Sequence, residues 1–89
     1  MYFVEFIFQT NEGSMAMLYE VSAMLFIEEF EAHTTVTPLH AKSRNDFYIA
    51  MPYKEVVQHL LESRSNGIVS FPALVKAQLE LELLKIEHN

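Results

Sequence analysis

The sequence predicts a small α+β domain, and three observations carry that reading. The opening run YFVEFIFQ is aromatic and β-branched, as a strand requires. The segment after Pro52 spaces its apolar residues as a helix does. The chain has 89 residues, enough for one core, so a single domain spanning 1–89 is expected.

In residues 2–9, Tyr2, Val4, Phe6 and Phe8 share one face, and Phe3, Glu5, Ile7 and Gln9 the other. Apolar side chains on both faces place this strand centrally in a sheet. Thr10 to Ser14 is a turn, with Ser14 as a helix N-cap. Residues 15–32 then read as a helix, because helix formers dominate and neither Pro nor Gly interrupts. His33 to Lys42 is Thr-rich and reads as a strand, with Pro38 placing it at an edge or a break. Phe47 to Met51 completes a β-hairpin with it. Pro52 opens a second helix through Tyr53, Val56, Val57, Leu60 and Leu61, and Gly67 ends it.

The tail gives conflicting signals. VKAQLELEL alternates strictly from Val75 to Leu83, which is strand periodicity. Its composition favours helix. As a helix it carries two opposed apolar arcs, and one core cannot bury both. Periodicity favours a final strand. The resulting order, β-α-β-β-α-β, is that of the ferredoxin-like two-layer sandwich. The alternative order, β-α-β-β-α-α, ends in a helix.

Composition narrows function. The absence of Cys excludes disulfides and thiolate metal sites. No apolar run is long enough for a membrane-spanning helix. The N-terminus lacks a basic stretch, so a cytoplasmic location is expected. The net charge of −6 is one-sided: residues 1–41 hold Glu5, Glu12, Glu20, Glu28, Glu29 and Glu31 without a Lys or Arg. Such a field favours basic partners and disfavours phosphate backbones, so no direct nucleic-acid contact is expected.

The candidate residues follow from that asymmetry. On the expected first helix, Met17, Met24 and Ile27 project among Glu20, Glu28 and Glu31. Together they suggest an acidic and apolar docking face, with the apolar surplus covered in a homodimer. Glu29 and His33, at i and i+4, would share a helix face, but two ligands are too few for a metal site. His33 and His40 are possible general bases on opposite faces of one strand. The basic tip around Lys42 and Arg44 reads as a solvated turn before it reads as an anion site. A Gly-rich phosphate loop, a nucleophile elbow and a Cys nucleophile are all missing from the sequence. The expectation is therefore a non-enzymatic, cofactor-free regulatory module that binds a basic protein through this helix face. The rival expectation is a ferredoxin-like dimer with a ligand pocket or enzymatic site on its open sheet face, lined by Phe3, Ile7, His40 and Tyr48.

Overall fold

The computed structural model describes residues 2–39 and 45–87. Among them are six strands in one mixed sheet and two α-helices. The strands are β1 (Phe3–Thr10), β2 (Gly13–Glu20), β3 (Met24–Glu28), β4 (Thr34–Pro38), β5 (Phe47–Ile49) and β6 (Ile68–Leu74). The helices are α1 (Tyr53–Glu62) and α2 (Lys76–Glu87). The sheet order is β2-β1-β6-β5-β4-β3, with β1 and β6 parallel and every other pair antiparallel. This is an α+β protein, but its strand order is not that of the ferredoxin-like sandwich.

Two elements depart from the sequence reading. The expected helix 15–32 is instead β2, a 3-10 turn at Val21–Ala23, and β3. All eight residues of β2 are in register with β1, from Thr10 opposite Gly13 to Phe3 opposite Glu20. Helix propensities differ by only about 0.7 kcal/mol per ordinary residue, a preference that pairing along a full strand overrides. Met15, Met17 and Tyr19 alternate with Ser14, Ala16 and Leu18, and the turn at Asn11 and Glu12 closes the hairpin. Gly13 sits at φ 132, a conformation that suits glycine.

The tail is the other departure. Residues 76–87 are helical, as their composition favours, and the two apolar arcs receive different treatment. Leu79 is buried, whereas Leu81 and Leu84 face solvent. The last strand is therefore earlier, at 68–74, and the sequence reading had left it unassigned. Its alternation is clear in the structure: Val69, Phe71 and Ala73 are buried between outward Ile68, Ser70 and Pro72. Pro72 cannot donate to a ladder, and the pairing with β5 covers only Ala73 and Leu74.

Three expectations match the structure. The first strand is central, flanked by β2 and β6. The β4–β5 hairpin forms, although β4 lies inside the sheet between β5 and β3 and not at an edge, and Pro38 falls at its end. Helix α1 starts directly after Pro52, whose carbonyl accepts from the Glu55 and Val56 amides at 3.0 and 3.1 Å. Gly67, at φ 76, follows the short 3-10 turn that ends this helical segment.

The sheet is strongly curled. Laid flat, its edges β2 and β3 would stand about 24 Å apart at ~4.8 Å per strand. Yet Glu20 and Met24 are joined by the turn Val21–Ala23, a link that reaches at most about 14 Å. The rings of Tyr19 on β2 and Phe47 on β5 meet at 6.1 Å, although two strands lie between them. The concave side holds the core. Val4, Phe6, Ile49, Val36 and Phe71 are all within 1% of full burial, and Phe6 meets Phe47 edge-on at 4.6 Å.

The helices take opposite faces. Helix α1 contributes the fully buried Val56 to the concave core, and its Leu60 carbonyl accepts from the Tyr2 hydroxyl. Helix α2 lies on the convex face. There Tyr48, opposite Leu74 and out of phase with Phe47 and Ile49, is buried together with Leu79. The Gln78 amide donates to the Gln9 carbonyl at 2.9 Å, and Glu82 contacts His33 at 2.7 Å.

Candidate functional site

The residues expected on one acidic helix face do not share a face. Met24 is buried in the core, and Met17 packs against it from the concave side of β2. Ile27 is half-buried and pairs with Thr35, facing the convex side of β3. Glu20 and Glu28 end different edge strands, and Glu31 is exposed in the turn after β3. The helix-face site is therefore corrected: strand alternation sends Met17 inward and leaves the glutamates scattered.

The pair expected at Glu29 and His33 is also divided. Glu29 accepts from the Thr35 hydroxyl at 2.9 Å. His33 turns to Glu82 instead. Among the described residues, no group of three or more His, Asp or Glu side chains is placed to hold a metal. His40, with the basic tip Lys42 and Arg44, lies outside the described residues.

The residues expected on an open sheet face are divided. Strand registers put Phe3, Glu5 and Ile7 on the convex side, with Tyr48 two strands away on the same side. Helix α2 covers Tyr48. It leaves the β2-β1-β6 part bare, where three cross-strand rows stand side by side. They are Glu20–Phe3–Ile68, Leu18–Glu5–Ser70 and Ala16–Ile7–Pro72. Leu18 is 57% exposed and Ile68 46%. Glu5 stands at the centre of this apolar patch, half-buried, accepting from the Ser70 hydroxyl at 2.9 Å. The three strands together contain the carboxylates Glu5 and Glu20 and no Lys, Arg or His. Beside Ile7, Pro72 and Leu74 the surface dips into a shallow hollow of about 350 Å³.

A second feature is concave. Between β2 and β5 the curl leaves a cavity of about 430 Å³, lined by Phe8, Met15, Met17, Tyr19, Phe47 and Val75, with Asn45 and Asp46 among its polar residues. Its size falls in the range of small-molecule sites. Sequence reasoning missed this cavity because it depends on the curl, and the curl depends on long-range pairing.

Comparison with known protein families, curated proteins and solved structures finds no match to this chain. Among the described residues no helix is long and apolar enough to cross a membrane.

Proposed function

We propose that this protein is an interaction module that docks a basic partner protein on the convex face of β2-β1-β6. The observation that carries the reading is Glu5. It is a half-buried carboxylate ringed by Phe3, Ile7, Leu18 and Ile68 on a face that neither helix covers. Bare patches of this kind mark docking surfaces. A cationic side chain entering the patch would meet a carboxylate flanked by apolar side chains, and the pairing would strengthen as the partner excluded water from it. The surplus of glutamate in residues 1–41 would steer such a partner inward.

Photo-cross-linking tests this directly. A photoreactive residue at Leu18 or Ile68 should capture a protein with a basic surface in cells, and one at Glu55 on α1 should not. The capture should weaken as ionic strength rises and fall with Glu5→Gln. Equal capture from position 55, or capture indifferent to Glu5→Gln, would remove the proposal.

A second reading rests on the concave cavity. Its ring and thioether lining suits a flat apolar molecule, so that the protein would bind a small ligand there. A thermal-shift screen checks this reading: a reproducible rise that Met17→Trp abolishes supports it.

A further inference from the structure

The two edges of the sheet are not equivalent. Strand β2 is eight residues long, is paired with β1 over its whole length, and among the described residues has no strand on its other side. That side presents a row of backbone N–H and C=O groups. Proteins usually blunt such an edge with Lys, Pro, a bulge or a covering loop. Strand β2 reads GSMAMLYE, with no cation and no proline, and its register to β1 runs without a bulge. Met15 is 48% exposed along it.

We infer that β2 pairs with β2 of a second copy of this chain, antiparallel about a two-fold axis, to make one continuous sheet. This inference is independent of the convex-face reading, because it rests on the edge and not on the face. A two-fold contact needs a surface complementary to itself, and β2 meets that condition in one register. With Met17 on the axis, seven residues from each copy overlap. Met15 of one copy then faces Tyr19 of the other on the concave side, a favourable thioether–ring pair that occurs twice. Ala16 faces Leu18 on the convex side, also twice. Glu20 faces Ser14, so no carboxylate opposes another. Placing Ala16 on the axis instead sets Gly13 against Tyr19 and Ser14 against Leu18, so the thioether–ring pair is lost and the tyrosine has no side chain opposite it. Moving the axis to Leu18 shortens the overlap.

The chosen register has a structural consequence. Met15, Met17 and Tyr19 line the concave cavity, so the two cavities would adjoin across the axis. The bare convex rows would run on from one copy into the next.

Because the chain has no Cys, single-cysteine variants report the pairing cleanly. The native chain should run in solution at twice the mass of one chain. Met17→Cys, on the axis, should cross-link to itself under mild oxidation, and Leu25→Cys on the opposite edge strand should not. The double variant Ala16→Lys, Leu18→Lys changes two exposed positions and sets cations against each other across the axis. It should keep its circular-dichroism spectrum and become monomeric. A native chain that stays monomeric at millimolar concentration overturns the inference. So does a dimer that cross-links through Leu25→Cys, or one that survives the lysine pair.

Discussion

The imidazole of His33 and the carboxylate of Glu82 meet at 2.7 Å across a separation of 49 residues, joining helix α2 to the segment that leads into β4. The His33 side chain is 5% exposed and that of Glu82 41%. His33 Nδ1 is buried and has no hydrogen-bond partner among the described residues. A buried orphan N–H is rarer in folded proteins than an orphan acceptor. For the neutral ring, the tautomer expected is therefore the one with its proton on Nε2, donating to Glu82. Imidazole nitrogen shifts check this assignment. Glu82→Ala should destabilise the fold by less than about 1 kcal/mol, because one partner is solvated. It should nonetheless speed amide exchange in α2 more than elsewhere.

The two arcs of α2 make a matched pair of tests. Leu79→Ala removes a side chain that is 3% exposed and should cost about 2–5 kcal/mol. Leu81→Ala removes one that is 61% exposed and should stay within about 0.5 kcal/mol. Denaturant titration of both variants separates the arcs. Equal losses would mean that the outward arc is covered in solution.

Tyr2 sets an alkaline limit. Burial pushes its phenol above the ordinary value of 10.0, and its hydroxyl donates to the Leu60 carbonyl. The fold thus favours the neutral phenol. The stability it contributes is complete below pH 10.0 and drains as pH rises through the raised value. Tyr2→Phe should lose about 0.5–1.5 kcal/mol at neutral pH. The gap between variant and parent should narrow in alkali, as thermal melts across pH would record.

Gly13 isolates a backbone effect. A Cβ added there would meet nothing within 4 Å, yet the residue sits at φ 132. Gly13→Ala should therefore destabilise by about 1–3 kcal/mol with no steric clash. Chemical denaturation gives the number, and a neutral result would mean that the hairpin turn relaxes freely.

What the residues disclosed depended on how local the deciding force was. Strand β1 was legible because apolar side chains on both of its faces demand neighbours on both sides. Helix α1 was legible from Pro52 and the spacing of Val56 and Leu60. Residues 14–28 were not, because Met, Ala, Leu and Glu suit a helix in isolation, and only pairing with β1 and with β4 makes them β2 and β3. Strand β6 was hidden by Pro72, which reads as a breaker until β5 is seen to stop short of it. The convex patch was half legible: Phe3, Glu5 and Ile7 were foreseen on one face, but Leu18 and Ile68 join them only through strand pairing. The tail misled because a period of two in a helix produces opposed arcs, and this fold leaves one of them wet.

The parallel union of β1 with β6 has a consequence for synthesis. Phe3 aligns with Ile68, so during synthesis β1 must wait until the segment that follows α1 has been made before its parallel neighbour arrives. Closing so long a loop is slow relative to local pairing. Until then the nascent β1–β2 hairpin shows both of its apolar faces to solvent or to a chaperone. A ribosome stalled before residue 68 would hold a polypeptide whose central seam has no second side.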